Sequence, residues 1–405
     1  MKKIVLALAL ILFPIANNID ACTSIIISGK YTADGRPIMW KHRDTSNENN
    51  KLVYITNGRY EYIAMVNVGE YETSDAWMGM NETGFCIMNT ASYNLNTGDD
   101  DNGRYGEGGI MGRALKTCSS LREFEDFLKS LEKPTGLESN FGVIDAHGGA
   151  AYYEVGDSTI TKIDVNDKRI APMGFIVMTN YSFNGNPDKG QGYSRFITAS
   201  NLFYRSAMQG DLTVEFILRN AERNLVNGFT NTDLTDLAGT EREVKLLHFR
   251  DNITRKTSTS SAVFKGVAPG SDPAGTMMWA VGGWPAATAA YPVWLNDEHV
   301  LPDLLTAPRG QNSKMCDLAL RMKSESMPVK KGHGQDYINI NKLWNKEGSG
   351  YLQWIRPLED RIINLTKTIS GKHQKTAPGS KQIKELYSEI DELLISTYKN
   401  NGYTF

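Results

Sequence analysis

The stretch NNIDACTSIIISGK, residues 17–30, places one cysteine, Cys22, between an apolar leader and a run with the composition of a buried strand. Two lysines follow the first methionine, and an uncharged, mostly apolar run then extends to Ala16. A basic start followed by a short apolar segment is typical of a secretory signal peptide, and the segment is too short to span a bilayer comfortably. We therefore expect residues 1–21 to be a signal peptide that is cleaved after Ala21, so that Cys22 begins the mature chain.

Two chemistries are open to a cysteine at this position. In the first, Ile19-Asp20-Ala21-Cys22 is a lipobox and the thiol carries a diacylglyceryl anchor, although a charge at Asp20 is unusual there. In the second, the free α-amine of Cys22 takes the proton of its own thiol. An amine of pKa about 7.7 is partly neutral at pH 7, and the pKa of a thiol is about 8.5. This stretch alone leaves both interpretations open.

Composition limits the class of protein. The chain has 405 residues, of which 40% are hydrophobic and 22% charged, which is ordinary for globular proteins. Its formal net charge of -2, without a long basic block, excludes a nucleic-acid partner. The six histidines and four cysteines show no metal-ligand spacing and no disulfide framework. We expect a periplasmic or extracellular protein without metal, cofactor or membrane span after signal removal, and a homo-oligomer is compatible with this.

The pattern of secondary structure favours a layered α+β fold. A hairpin is predicted from strands at 22–28 and 37–42, joined through the Asp34-Gly35 turn. Further strands are predicted at 52–56, 60–68, 77–80, 85–89, 141–146, 150–155, 175–178, 261–267, 277–281 and 292–295. Helices are predicted at 110–131 with a restart near Ser120, at 194–208, at 212–225, and through most of the chain from about residue 313 onward.

Several motifs in a fixed order carry a resemblance. Cys22-Thr23-Ser24, Asp34-Gly35 and Asp44 resemble the opening of the cysteine N-terminal nucleophile (Ntn) hydrolases. This superfamily includes choloylglycine hydrolases, penicillin V acylases and isopenicillin N or 6-aminopenicillanic acid acyltransferases. The later matches are GMNETGF at 79–85, the hairpin at 141–154, MTNY at 178–181 and SRF at 194–196. The stretches at 276–279 and 292–294 are most similar to the acyltransferase-like branch, and the resemblance fades after about residue 305.

The resemblance implies both architecture and activity. It implies a four-layer αββα sandwich, the Ntn hydrolase fold, with additional C-terminal helices. The domain would occupy residues 22–305, and residues 306–405 would form a C-terminal helical extension packed on the same domain. The reaction would be cleavage or transfer at a linear amide.

Carried over residue by residue, the resemblance assigns four catalytic candidates. Cys22 would be the nucleophile and its α-amine the base. Asp44 follows the returning strand of the hairpin, so it comes back to the edge that holds Cys22, where its carboxylate can orient the amine. Asn180 matches the oxyanion-stabilising asparagine, and Arg195 matches an arginine near the thiol, where a cation would favour thiolate.

Other assignments stay open. Lys41 stands three residues before Asp44, where the bile salt hydrolase branch has an arginine, and Arg43 immediately precedes the aspartate. A second oxyanion asparagine is expected after the NETG turn, where Asn89 and Asn94 both occur. Arg255 is either a pocket cation or a residue of a solvated loop. The candidates for substrate binding are Asn89, Tyr181 and Trp77.

Three functions follow from these readings. The leading one is an exported cysteine amidohydrolase or acyltransferase that acts on a small-molecule, non-peptide N-acyl amide through a Cys22 thioester. The second is an Ntn dipeptidase, which would recognise a free amino terminus. The third is a non-catalytic surface protein that is anchored by lipid on Cys22.

Overall fold

The computed structural model describes residues 21–96, 104–370 and 378–405, so the predicted signal peptide before Ala21 lies outside the described residues. The strands are β1 (Ala21–Ile27), β2 (Ile38–Asp44), β3 (Asn50–Ile55), β4 (Tyr62–Asn67), β5 (Met78–Asn81), β6 (Cys86–Ala91), β7 (Ser139–Ile144), β8 (Ala150–Val155), β9 (Ile160–Asp164), β10 (Phe175–Met178), β11 (Val226–Asn227), β12 (Thr232–Asp233), β13 (Leu246–His248), β14 (Ser258–Lys265), β15 (Met277–Gly282), β16 (Tyr291–Val293) and β17 (Tyr337–Asn339). The α-helices are α1 (Glu107–Thr117), α2 (Leu121–Lys129), α3 (Tyr193–Gln209), α4 (Val214–Phe216), α5 (Lys314–Ser326), α6 (Ile340–Leu343), α7 (Tyr351–Ser370) and α8 (Ser380–Asn400).

Two antiparallel sheets form the centre of the molecule. The first sheet has six strands in the order β10-β1-β2-β14-β15-β16, and the second has seven in the order β3 to β9. Strand β1 contacts β6 and β8 across the gap, and β2 contacts β7, so the sheets face each other. Helix α1 packs on β5 and β6 outside the second sheet, and α3 packs on β1 and β10 outside the first. The expected four-layer αββα sandwich is confirmed.

The hairpin of β1 and β2 is confirmed, with a longer connection than the predicted turn. The strands pair up to Ile27 opposite Ile38. A short 3-10 helix, Gly29–Tyr31, precedes the Asp-Gly turn, and Gly35 has φ 74°, a left-handed conformation that favours glycine. A Cβ at Gly29 would lie 2.4 Å from the carbonyl oxygen of Gly35, so the connection can fold this tightly only around glycine.

Close packing between the sheets depends on a small residue in β7. A Cβ on Gly142 would lie 2.7 Å from Cε of Met88 and 3.2 Å from Cδ1 of Ile26. Ile26 and Met88 are fully buried. The missing side chain at Gly142 therefore lets β1 approach the second sheet. The face of β1 that carries Ile26 is the one that lies between the sheets.

The C-terminal helices pack on the same core. Leu318 of α5, Ile355 of α7 and Leu394 of α8 are fully buried and belong to the hydrophobic cluster that includes the first sheet. A buried ion pair of 2.9 Å joins Arg223 to Glu359 of α7, which ties the two parts of the chain together. The division into residues 22–305 and 306–405 stays a prediction.

The predicted helices have mixed outcomes. The region 110–131 forms α1 and α2 with a restart at Ser120, whose hydroxyl accepts a hydrogen bond from the Glu123 N–H at 3.3 Å. The helix predicted at 194–208 is α3. The helix predicted at 212–225 is confirmed only over 214–221, where α4 widens into a π-helical turn, Ile217–Ala221, before the chain leaves the helix. The guanidinium of Arg223 donates to the carbonyls of Pro285 and Thr288, so tertiary contacts take over there.

Within the described ranges, no helix has the combined length and apolar character that a membrane crossing requires. All four cysteines are free and buried. No group of three metal-ligating side chains occurs among the same described residues.

Candidate active site

The site lies at the edge where β1 begins and β2 ends. In the antiparallel register, Cys22 stands opposite Arg43 and Ala21 stands opposite Asp44. The hairpin therefore returns Asp44 to the edge that holds Cys22. Cys22 is 5% exposed while Ala21 is still attached to it.

The pleat of β1 divides the site into two faces. Alternate residues of a strand point to opposite faces, and directly paired residues of neighbouring strands share a face. The hydroxyl of Ser24 lies 3.0 Å from the phenol oxygen of Tyr152 in the second sheet. Cys22, two residues before Ser24, therefore shares the face between the sheets, which we call the inner face. Thr23 belongs to the opposite face, toward α3, which we call the outer face.

Two cations share the inner face with the thiol. Lys41 is paired with Ser24 and Arg43 with Cys22, so both belong to this face. Burial raises the pKa of the Cys22 thiol above its ordinary value. Lys41, a backbone hydrogen bond of Asp44 and Arg43 act in the opposite direction and lower this pKa, while the charge of Asp44 raises it. Lys41 has the larger and Arg43 the smaller lowering effect on the pKa of this thiol.

Asn180 contacts the backbone nitrogen of the cysteine. It follows β10, the neighbour of β1, and its Oδ1 accepts a hydrogen bond from the Cys22 N–H at 2.8 Å. Its Nδ2 donates to the carbonyl of Ala91 at 2.9 Å. Removal of Ala21 would turn this backbone N–H into the α-amine, so the side chain of Asn180 is placed to orient that amine.

Arg195 lies on the outer face of the same residue. Its Nη1 donates to the carbonyl oxygen of Cys22 and, at 3.0 Å, to the hydroxyl of Thr23. Its Nη2 donates to Oδ1 of Asn180 at 2.8 Å. Burial lowers the pKa of Arg195 to about 9, and the nearby Arg255 adds to this shift. The guanidinium therefore fixes the backbone of Cys22 and the side chain of Asn180, and the charge of the Cys22 thiolate acts to raise the pKa of Arg195.

Asp44 is held by two residues of the outer face. Nε of Arg255 lies 3.0 Å from its Oδ2, and the hydroxyl of Ser258 donates to its Oδ1 at 2.7 Å. The interpretation of Arg255 as a residue of a solvated loop is wrong, since its side chain is only 14% exposed. Arg255 lies just before β14 and Ser258 is its first residue, and β14 is the other neighbour of β2.

A buried histidine stands behind Asp44. Nε2 of His42 lies 2.9 Å from the hydroxyl of Ser258, which itself donates to Asp44. Burial lowers the pKa of His42 to about 4, against the opposing effect of Asp44. The imidazole is therefore neutral near pH 7, and its Nε2–H donates to the serine oxygen. Sequence reasoning assigned His42 and Ser258 no role, because only the pairing of β2 with β14 brings them together.

Two of the predicted substrate-binding residues lie on the inner side. Nζ of Lys41 donates to Oδ1 of Asn89 at 2.6 Å and to the carbonyl of Trp77 at 2.8 Å. The guanidinium of Arg43 lies 4.4 Å from the centre of the Trp77 ring. Asn94, the other candidate for the second oxyanion asparagine, instead fixes a loop through hydrogen bonds with the backbone of Ser182.

The third predicted substrate-binding residue lies in an aromatic cluster. The ring of Tyr181 stacks on Tyr193 with centroids 4.8 Å apart, and it contacts Phe196 at 5.4 Å and Phe183 at 5.8 Å. Phe183 is 45% exposed and Tyr193 is 39% exposed. This cluster surrounds the start of α3, next to Arg195.

A cavity of about 720 Å³ adjoins this edge. Ala21 and Arg195 line it, together with parts of the segments 248–257 and 332–336. Ala21, the residue immediately before Cys22, forms part of the wall of the cavity. Removal of the residues through Ala21 would therefore enlarge the cavity at the point where the new α-amine appears.

Comparison with known families identifies the type of protein. The sequence model of the acyl-coenzyme A:6-aminopenicillanic acid acyl-transferase family matches residues 33–265, more than half of the chain. The chain belongs to this family. The matched range contains Asp44, Asn180, Arg195 and Arg255, and it begins after Cys22. The family is one of the Ntn hydrolases and acyltransferases that act on amide bonds, as the motifs predicted.

Solved structures of Ntn hydrolases resemble this acyl-transferase family member at low identity. A Caenorhabditis elegans N-acylethanolamine-hydrolyzing acid amidase ortholog is 16% identical, with 48% of this chain and 86% of that chain covered and a TM-score of 0.35. A mutant of the conjugated bile acid hydrolase from Clostridium perfringens is 14% identical, with coverages of 68% and 92% and a TM-score of 0.39. The penicillin V acylase of Agrobacterium tumefaciens is 10% identical, with coverages of 68% and 86% and a TM-score of 0.36. No curated protein gives a significant match.

Proposed function

We propose that this chain is an exported N-terminal cysteine amidohydrolase or acyltransferase that acts on a linear, non-peptide N-acyl amide. The observation that carries the proposal is the hydrogen bond from the Cys22 backbone nitrogen to Asn180, with Arg195 bonded to both residues. These contacts prepare a position for an α-amine next to its own thiol. The proposal requires that the residues through Ala21 be removed.

The first half of the reaction forms a thioester. The neutral α-amine of Cys22 accepts the thiol proton, and the thiolate attacks the amide carbonyl. Asn180 and a backbone N–H stabilise the oxyanion, and the incoming oxygen would share the Asn180 amide with the Ala91 carbonyl that it now contacts. The α-ammonium then gives its proton to the leaving amine as the carbon–nitrogen bond breaks. Oδ1 of Asn180 holds the amine, and the nearby carboxylate of Asp44, opposite Ala21, helps to orient it.

The second half releases the acyl group. Water, or an acceptor amine in a transferase, attacks the thioester while the neutral α-amine takes its proton. The carbon–sulfur bond breaks, and the thiolate recovers the proton from the α-ammonium. Lys41 and Arg43, which share the inner face with the sulfur, favour the thiolate as leaving group.

The burial of Cys22 supports catalysis over a lipid anchor. The residue is 5% exposed, and its side chain shares the inner face with two charged residues. A diacylglyceryl group on this sulfur would have to leave the fold past Lys41 and Arg43. The folded position of Cys22 therefore supports a free thiol.

The test combines the mass of the mature chain with turnover of amides. We expect intact-mass analysis of the exported protein to give an unmodified chain that begins at Cys22. We expect the purified mature chain to hydrolyse members of an N-acyl amide library, and Cys22→Ala to lower kcat/KM by at least about 10⁴-fold. Equal turnover by the variant and the parent would refute the proposal. Diacylglyceryl on Cys22 would support the anchor instead, and cleavage of peptides with a free amino terminus alone would support a dipeptidase.

A further inference from the structure

The cavity at the nucleophile edge has one wall that comes from outside the matched family region. Gly332, His333, Gln335 and Asp336 line it, whereas the family match ends at residue 265. We call residues 332–336 the C-terminal wall. We infer that the C-terminal wall determines substrate specificity, and that its Asp336 tunes the preference of the cavity for anionic or neutral substrates. The inference rests on the proposed function, because it takes the cavity, which Ala21 lines and the Cys22 side chain does not, as part of the substrate site.

Main-chain pairing anchors the C-terminal wall. Strand β17, which follows it directly, pairs with β13 so that Leu246 stands opposite Asn339 and His248 opposite Tyr337. The Phe249 N–H donates to the Asp336 carbonyl at 3.0 Å, and the Phe249 side chain is fully buried. The end of the wall is therefore fixed against the segment 248–257, which forms the neighbouring part of the cavity.

Charge is distributed unevenly around this cavity. Four of its lining residues are cations: Arg195, Arg250, Arg255 and Lys256. The two acids that line it are Asp251 and Asp336. Arg195 and Arg255 are already engaged by the Cys22 carbonyl and by Asp44. These contacts leave Arg250 and Lys256 as the other lining cations, and Arg250 stands beside the C-terminal wall.

The negative charge of Asp336 partly neutralises the positive charge of Arg250. Oδ2 of Asp336 lies 3.8 Å from Nη1 of Arg250 and 3.7 Å from Nδ1 of His333. The Arg250 side chain is 64% exposed and that of Asp336 is 22% exposed, so the pair lies at the boundary between cavity and solvent. Removal of the aspartate charge would leave Arg250 uncompensated. An anionic substrate would then gain attraction, and a neutral one would gain none.

The test compares two amides that differ in one charge. Phenylacetylglycine carries a carboxylate on its amine half, and phenylacetylglycinamide carries a neutral amide there. We expect Asp336→Asn to raise the ratio of kcat/KM for the anionic over the neutral probe by about two- to fivefold, mainly through KM. The increase should shrink in salt of about 0.5 M, because exposed charges are screened.

A matched variant controls for the loss of a surface ion pair. Asp360 pairs with Arg219 at 2.6 Å in an exposed position outside the cavity lining. Asp360→Asn removes the same charge from a similar pair, and we expect it to leave the ratio unchanged. Affinities of both probes for Cys22→Ala, with and without Asp336→Asn, provide a readout that does not need turnover.

Each outcome bears on the inference. A ratio that changes for Asp336→Asn and not for Asp360→Asn supports it. An equal change for both probes would assign Asp336 a structural role and overturn it. No change for either probe would remove the C-terminal wall from the substrate site. Failure of the proposed function has a different signature, which is amide turnover that does not depend on Cys22.

Discussion

The two faces of β1 are built in different ways. On the inner face, the groups that act on the thiol come from the same hairpin: Lys41 and Arg43 on β2 lie opposite Ser24 and Cys22. On the outer face, the contacts come from distant parts of the chain. Arg195 and Cys22 are 173 residues apart in sequence, and Arg255 and Asp44 are 211 residues apart.

This difference separates two tasks. The inner face acts on the charge state of the sulfur through charged residues of the same hairpin, in a layer that the second sheet helps to bury. From the outer face, Arg195 holds the Cys22 carbonyl and the Asn180 side chain that accepts from the Cys22 nitrogen, through buried, charge-assisted hydrogen bonds. This arrangement therefore needs the whole first sheet and α3 in place. Substitutions on the inner face should change the reactivity of the thiol, and substitutions at the groups that orient the amine should change catalysis more strongly.

The largest of these effects is expected at Asn180. Asn180→Ala removes the acceptor of the Cys22 nitrogen and the proposed oxyanion donor, so we expect kcat to fall by about 10²- to 10³-fold. Steady-state kinetics with the best amide of the library would measure it. Asn166→Ala is the control, because Asn166 donates to the Gly148 carbonyl near the far end of β1. A loss of similar size in both variants would show a general effect on folding.

A second effect concerns the buried histidine of the outer face. The pKa of His42 is lowered to about 4 in the folded state, against about 6.5 for a free histidine. Between these values the unfolded chain binds a proton that the folded chain does not, so stability falls as pH falls from about 6.5 to about 4. The shift corresponds to about 3 kcal/mol. We expect His42→Gln to remove this pH dependence from the free energy of unfolding, measured with urea at several pH values.

A buried carboxyl group gives the free energy of unfolding the opposite dependence on pH. Burial raises the pKa of Glu222 to about 7, against the effect of Arg223. The folded chain therefore holds a proton that the unfolded chain releases, and stability falls as pH rises from about 4.5 to about 7. Glu222→Gln should remove this dependence. Plots of stability against pH for Glu222→Gln and His42→Gln should therefore depart from the plot of the parent in opposite directions. Parallel curves for parent and His42→Gln would contradict the assignment of a neutral His42.

The smallest effect is expected on the inner face. Lys41→Gln keeps a donor for Asn89 but removes the charge that lowers the pKa of the thiol. We expect the rate of alkylation of Cys22 by iodoacetamide at pH 7 to fall by about tenfold, because a smaller fraction of the thiol is then ionised. Lys51→Gln is the control, since Lys51 is also buried but lies on β3 and pairs with Glu72. A larger change in the alkylation rate for an Arg195 variant than for Lys41→Gln would contradict the assignment of separate roles to the two faces.

Local sequence signals predicted local structure well. The start of α2 was readable from Ser120 and Glu123, because a serine cap and an acidic first turn satisfy the free N–H groups at a helix start. The hairpin and the return of Asp44 to the edge of Cys22 followed from alternating strands around an Asp-Gly turn. The helix predicted at 212–225 ends early, at Ala221, because apolar spacing does not reveal that the buried guanidinium of Arg223 donates to distant carbonyls.

The sequence by itself determined the hairpin, the order of motifs and the residue types of the site, because strand alternation, turns and caps are contacts between near neighbours. Only the tertiary structure decided that Arg195 lies against the backbone of Cys22, that Ser258 and Arg255 hold Asp44, and that the C-terminal wall borders the cavity. These contacts join residues far apart in the chain. They depend on the order of strands in a sheet and on packing between layers, which no local pattern of residues encodes.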